Sequence, residues 1–227
     1  MGEMQVYDLC ALADALEQDG QHADIVRLVR RAFAAMSVRT DLDRAERALE
    51  ELEQYEAARP MGITDDVRPG FLAAALLNHA LIHYVRATHS QAVSRFNVGT
   101  TRGFDPAQRA AHERLVQLRD KAVAHYGPGI FYGGEPWHSD RVVLLMPASG
   151  PPQMEFWSRR VSHHVEAMLD FRRVVPEAAV NALQIANEAM REMYQRVGNL
   201  YATDPQFARA LRAKLVSQSD WLEGTGT

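Results

Sequence analysis

The sequence is poor in cysteine, and Cys10 is its single cysteine among 227 residues. One cysteine cannot form an intrachain disulfide, and it excludes a zinc site built from several cysteines. The N-terminus also lacks the basic-then-apolar pattern of a secretion signal. The most apolar stretch, residues 71–87, is interrupted by an asparagine, two histidines and an arginine, which argues against a membrane span. We therefore expect a cytoplasmic protein with no membrane partner.

The chain also lacks a large excess of either charge sign, because its formal net charge is only −4. This value argues against a protein that coats nucleic acid over its entire surface. The charge is nevertheless uneven: residues 41–66 hold nine acidic and three basic side chains, and residues 86–125 hold seven basic and three acidic ones. Such an asymmetry is typical of an anion-facing side, or of two ordinary solvated helix faces.

Apolar residues recur at three- and four-residue steps through most of the chain, which predicts a mainly α-helical fold. We expect two or three helices in the first 60 residues, with Thr40 or Asp41 as the N-cap of the third. Later helices should run from about Pro69 to Val93, from Asp105-Pro106 to near His125, from Pro176 to Tyr201, and onward from Asp204-Pro205.

The segment 127–153 differs in composition from the helices on either side of it, because it contains five glycines and five prolines. The apolar run at 141–146, a glycine- and proline-rich turn and an alternating run at 154–158 predict a small antiparallel β-hairpin around residues 141–160. We expect this to be the only sheet, with two or three strands. Residues 1–223 should form one helical domain, followed by a disordered tail at 224–227.

One motif gives a specific functional lead, the segment Arg119-Asp-Lys-Ala-Val-Ala-His125. It resembles the signature of the HEPN superfamily (higher eukaryotes and prokaryotes nucleotide-binding domain), an arginine followed after four to six residues by a histidine. The wider run from His112 to His125, together with Tyr84-Val-Arg86, is similar to the bacterial abortive-infection branch of that superfamily. The similarity covers about residues 70–200, and it implies a HEPN-type helical bundle.

The resemblance also implies a function, that of a metal-independent endoribonuclease of toxin or phage-defence type, active as a homodimer. His125 would then be the acid/base, Arg119 the clamp on the scissile phosphate, and Asp120 the residue that orients one of them. Histidine can exchange a proton near neutral pH, and the guanidinium of arginine can hold a phosphate through two hydrogen bonds.

We further predict partners and ligands from this resemblance. The substrate would be RNA, an antitoxin or other protein could be a further partner, and no metal or cofactor is expected. Arg86, His112 and Lys121 are the predicted substrate-binding residues. The stripe of His79, His83 and Arg86, together with the helix that ends at His125, should lie at or beside the two-fold axis of the dimer.

The bare arginine-to-histidine spacing has little specificity, because Arg159 and His164 match it as well. Asp120, the helix end after His125 and the hairpin beyond are the features that distinguish the first match. On a regular helix, residues six apart are turned by about 120° from each other. Arg119 and His125 therefore converge only if the last turn unwinds before Gly127 or the long arginine side chain bends across, whereas His112 and Arg119 share one face.

Two other functions remain open at this point. In a non-catalytic interaction protein of the same fold, Arg119, Asp120 and His125 would stabilise the dimer, and many HEPN domains are of this kind. A small-molecule or metal-binding domain would use His79 and His83, whose four-residue spacing suits two metal ligands. Because Arg86 continues the stripe of these histidines, it needs a partner, for which Asp120 is one candidate. We expect His163 and His164 to lie at the surface.

Overall fold

The computed structural model describes residues 5–58, 68–89, 98–123, 131–160 and 164–216. This part of the chain is mainly helical, as predicted, with a small antiparallel hairpin between its helices. The helices are α1 (Leu9–Gln18), α2 (Ala23–Ala58), α3 (Arg68–Thr88), α4 (Pro106–Leu118), α5 (Val165–Thr203) and α6 (Pro205–Arg212). The strands are β1 (Val6–Tyr7), β2 (Phe131–Tyr132), β3 (Glu135–Pro136), β4 (His138–Leu145), β5 (Gln153–Arg160) and β6 (Leu215–Val216).

Local capping signals determine where two of the helices begin, as predicted from the sequence. The side chain of Asp105 accepts a hydrogen bond from the backbone N–H of Gln108, whose side chain in turn accepts from the N–H of Asp105. Asp204 caps α6 in the same way, through the N–H groups of Gln206 and Phe207. A proline follows each of these aspartates, in the first helical turn where its missing N–H costs nothing.

Two predicted helix starts are wrong. Thr40 and Asp41 do not cap a helix, because α2 continues unbroken for 36 residues and both lie inside it. Pro176 likewise lies inside α5, which begins at Val165. The predicted end of α3 near Val93 lies outside the described residues, as do the tail at 224–227 and the segment that includes His125.

The hairpin lies where the sequence predicts it, with Val142 opposite Phe156 and Leu144 opposite Met154. The expectation of a single sheet is wrong, because β1 pairs with β6 and β2 pairs with β3. Each of these strands has only two residues, which is too short to leave a period in the sequence. Gly133 and Gly134 connect β2 to β3 with φ angles of 56° and 85°. A Cβ atom at Gly133 would lie 2.5 Å from the side chain of Glu166, so glycine is required there.

Contacts divide the chain into two compact units, and the prediction of one domain stays a prediction. The first unit comprises Met1–Ser37, Ser94–Val98 and Ala182–Thr227, and the second comprises Val38–Val93 and Gly99–Asn181. In the first, Leu12, Ile25 and Phe207 lie in a buried cluster of α1, α2 and α6. In the second, Tyr84 packs edge-on against Phe171 at 5.9 Å, and both rings are buried. Within the described residues, we find no helix with the length and apolar character to cross a membrane.

Candidate functional site

The arginine motif coincides with a change in helix geometry. The regular helix α4 ends at Leu118, and residues Arg119–Val123 form a π-helical turn. Such turns are rare, and they occur frequently at functional sites. This turn packs against α3, the helix that bears the polar stripe. The departure from regular helix geometry therefore begins at the motif arginine itself.

Within the π turn, Arg119 and Asp120 form an ion pair. Nη1 of Arg119 lies 3.0 Å from Oδ1 of Asp120, and the two side chains are 32% and 48% exposed. An ion pair at this exposure contributes little to stability, so the guanidinium can exchange Asp120 for a ligand anion at small cost. Lys121, the next residue of the turn, is exposed. The predicted acid/base His125 lies outside the described residues.

Another predicted site residue, His112, is held by a buried tyrosine. The hydroxyl of Tyr84 lies 2.9 Å from Nδ1 of His112, and the two rings meet edge-on at 5.8 Å. Burial raises the pKa of Tyr84, so the hydroxyl keeps its proton and can donate it to Nδ1. Burial, together with nearby His89, lowers the pKa of His112. Its imidazole is therefore neutral at pH 7 and held in one orientation.

Arg86, predicted to bind substrate, has a carboxylate partner within the chain. Its Nε donates to Oδ2 of Asp41 at 2.9 Å, and its Nη2 contacts Oδ1 of the same group. Nδ1 of His83 lies 3.2 Å from Oδ1 of Asp41 and 3.0 Å from Nη2 of Arg86. Asp41 is 2% exposed, so this cluster links α2 to α3 through a buried carboxylate. The partner of Arg86 is therefore Asp41, whereas Asp120, the candidate named from the sequence, pairs with Arg119.

The histidines of α3 lie side by side, with a ring-centroid distance of 4.3 Å between His79 and His83. In the described part of the chain no group of three or more histidine, cysteine or carboxylate side chains is arranged to hold a metal ion. Asp41, the nearest carboxylate to His83, already binds Arg86. Burial lowers the pKa of His83 and outweighs the hydrogen bond to Asp41, which acts in the opposite direction. The imidazole of His83 therefore lies buried beside the pair formed by Arg86 and Asp41.

A second buried carboxylate, Asp170 on α5, was not identified from the sequence. It accepts hydrogen bonds from Nε and Nη2 of Arg114 at 2.8 and 2.6 Å and from the hydroxyl of Tyr132 at 2.6 Å. Although burial opposes the charged carboxylate, these donors outweigh it and lower the pKa of Asp170. The only local signal for this role is an aspartate in the apolar run Met168-Leu169-Asp170-Phe171.

His164 is buried, and the prediction of a surface position for it is wrong. Its Nε2 lies 2.9 Å from the carbonyl oxygen of Tyr132, and its Nδ1 lies 3.4 Å from the backbone N–H of Ala167. The side chain therefore connects β2 to the first turn of α5, where it satisfies a backbone donor that a helix leaves unpaired. Trp137 stacks on its ring at 5.7 Å. The neighbouring His163 lies outside the described residues.

The lowered pKa values of His83 and His112 predict a dependence of stability on pH. Because the folded protein lowers the pKa of His83 and His112 below 6.5, the unfolded chain binds protons at these positions more readily. Their contribution is complete above about pH 6.5 and is lost as the pH falls through the lowered values. We expect the urea midpoint to fall between about pH 7.5 and pH 5.5.

Two variants isolate that effect. His83→Gln and His112→Asn should each flatten the decline of the urea midpoint, and the double variant should flatten it most. An unchanged decline in the double variant contradicts this assignment.

Comparison with known proteins adds no relative: no protein-family model matches the chain, and no curated protein or solved structure is significantly similar to it. The resemblance to HEPN proteins therefore rests on the motif residues, and it stays a prediction.

Proposed function

We propose that this chain is a HEPN-like homodimeric ribonuclease that cleaves RNA without a metal ion, in a toxin or phage-defence role. The observation that supports this proposal most directly is the π-helical turn at Arg119–Val123, since it begins at the arginine of the motif. A regular helix would turn Arg119 and His125 about 120° apart, and a π turn changes that relation. The ion pair between Arg119 and Asp120 also lies at the surface and is weak, so RNA phosphate can replace Asp120 at small cost.

The proposed chemistry divides two tasks between two side chains. The guanidinium of Arg119 holds the scissile phosphate and its developing negative charge through two parallel hydrogen bonds. The imidazole of His125 takes the proton of the RNA 2′-hydroxyl, which attacks the adjacent phosphorus. The bond from phosphorus to the 5′-oxygen breaks, and His125 returns the proton to that leaving oxygen. The products are a 2′,3′-cyclic phosphate and a 5′-hydroxyl. The acidic Asp120 holds Arg119 in the absence of RNA, and Lys121 adds a cation beside it.

A second candidate, a non-catalytic interaction protein of the same fold, is favoured by a different observation. Arg86, one of the predicted substrate-binding residues, is engaged by the buried carboxylate of Asp41. His112 is engaged by Tyr84 in the same way. Both side chains therefore contribute to packing between helices, and a purely structural role for the motif is consistent with them.

Incubation of the purified wild-type chain with diverse RNAs distinguishes the two candidates. We expect cleavage that EDTA does not inhibit, because none of the proposed steps uses a metal ion. The product ends should be 2′,3′-cyclic phosphates, which mass spectrometry detects. A purified dimer, free of any inhibitor, that leaves all RNAs intact decides for the interaction protein.

A further inference from the structure

The hairpin presents an exposed apolar surface. Because Val142 lies opposite Phe156 and Leu144 opposite Met154, these four side chains point to the same face of the two-stranded ribbon. Their exposed fractions lie between 59% and 78%. We call this surface the hairpin face. A two-stranded ribbon is marginally stable by itself, and it normally needs a further layer over an apolar face.

A second surface of this kind lies on α3, in the same compact unit. It consists of Phe71, Leu72, Ala75, His79 and Ile82, which recur at three- and four-residue steps and are all exposed. We call it the α3 stripe. Phe71 is its most exposed large residue, at 77%.

The two surfaces match each other in charge. The chain has no aspartate, glutamate, lysine or arginine from Phe71 to Val85 or from Val142 to Met154, although 24% of all its residues are charged. Glu155 pairs with Val143 and so points to the side of the ribbon opposite the hairpin face. A partner with a strongly charged surface would lose its hydration against either of them without gaining an ion pair. Each surface therefore fits an uncharged apolar partner, and each is such a partner for the other.

We propose that the hairpin face of one copy packs against the α3 stripe of a second copy, and that the second copy returns the same contact. This exchange has two-fold symmetry and covers both surfaces in both copies, so it closes as a dimer and leaves no open end. It rests on the homodimer of the proposed function, but it does not depend on RNA cleavage.

The area of these surfaces favours the reciprocal contact over a hairpin-to-hairpin contact. One apolar side chain removes roughly 60–120 Å² from water when it is fully buried. With the observed exposures, the hairpin face and the α3 stripe each supply on the order of 250 Å². Two hairpin faces alone would bury about 500 Å², whereas the reciprocal contact buries about 1,000 Å², the size at which specific interfaces begin.

The proposed interface adjoins the candidate site. His79 belongs to the α3 stripe and contacts His83, and the π turn with Arg119 packs against the same helix. The second copy would therefore lie against the helix that supports the motif. The dimer is thereby connected to the site through α3.

Sedimentation velocity with the full chain tests the interface. We expect a wild-type dimer at micromolar concentration. Phe156→Glu on the hairpin face and Phe71→Glu on the α3 stripe should each raise the dimer dissociation constant by about a hundredfold or more, because each buries an unpaired charge. Phe33→Glu is the matched control, since Phe33 is 60% exposed on α2, outside both surfaces. It should leave the dimer unchanged.

Cross-linking tests which surfaces meet. In a Cys10→Ser background, a mixture of Phe156→Cys and Phe71→Cys chains should form a covalent dimer with a short bifunctional maleimide, whereas Phe156→Cys alone should not. A covalent dimer from Phe156→Cys alone indicates hairpin-to-hairpin contact and overturns the proposal. So does binding of the wild-type chain to lipid vesicles that Phe156→Glu abolishes.

The remaining outcomes separate this interface from the proposed function. A wild-type monomer overturns the interface. A dimer that survives both glutamate substitutions also overturns it, while RNA cleavage and a dimer formed through other surfaces stand. A dimer that both substitutions disrupt, but that cleaves no RNA, supports the interface and rejects the ribonuclease.

Discussion

Arg119→Ala and His125→Ala should each lower RNA cleavage at least about a hundredfold, because phosphate stabilisation and proton transfer each typically contribute that much to the rate. The residues that follow Arg119 do not replace it: Asp120 has the wrong charge, and Lys121 offers a point charge instead of a planar pair of donors. Asp120→Asn should be milder, because asparagine keeps a polar oxygen beside Arg119. The measurement is the single-turnover rate on one RNA. Circular dichroism and sedimentation should show an intact fold and dimer.

The choice of control follows from the geometry. Arg159 and His164 also fit the four-to-six-residue spacing of the motif, but His164 is buried against Tyr132 and its loss would disturb the fold. Arg191, exposed on α5, is the better control, and Arg191→Ala should cleave at the wild-type rate. If Arg119→Ala retains full cleavage, Arg119 is not the phosphate clamp. If it lowers the free energy of unfolding instead, its role is structural.

Arg114→Met should lower the free energy of unfolding by about 3 kcal/mol, because it leaves the carboxylate of Asp170 buried with too few donors. Asp170 is 2% exposed, and without Arg114 it retains the hydroxyl of Tyr132 and a longer contact of 3.4 Å to Arg173. The side chain of Arg114 is itself 46% exposed, which places the effect at the lower end of the range for buried pairs. Urea unfolding measures the change.

The pH response of Asp170 gives an independent check. Its folded pKa lies below the ordinary 3.8, so its contribution to stability is complete above that pH and is lost as the pH falls through the lowered value. Asp170→Asn should remove this acid-induced loss. Replacing both partners, as in Arg114→Met with Asp170→Leu, should cost less than Arg114→Met alone, since no unpaired charge remains. A change below about 0.5 kcal/mol in Arg114→Met contradicts the assignment, because that is the ordinary effect of a surface substitution.

Local rules predict the features that neighbouring residues determine. Asp105-Pro106 and Asp204-Pro205 begin helices because the cap, its N–H partners and the proline lie within a few residues of each other. The hairpin is predictable for the same reason, since its strands and turn are contiguous.

The buried carboxylates show why the rest could not be predicted. Aspartate is a common N-cap residue, so its residue type does not reveal that Asp41 lies inside a long helix. Its partner Arg86 lies 45 positions away. Arg114 and Asp170 are 56 positions apart. Only the packing of helices brings such pairs together, so no spacing in the sequence marks them. The π turn leaves no mark either, because it shifts the hydrogen-bond partners without requiring particular residues.

The pairing of Asp41 with Arg86 has a consequence for how this protein can evolve. Loss of either partner alone removes the opposite charge that lies closest to the other, whereas replacement of both by apolar residues can be close to neutral. A lineage that moves from the ion pair to an apolar contact must therefore pass through a weakened intermediate, unless both codons change almost together. We expect descendants of a common ancestor to keep both residues or neither, with His83 free to vary only where the pair is absent.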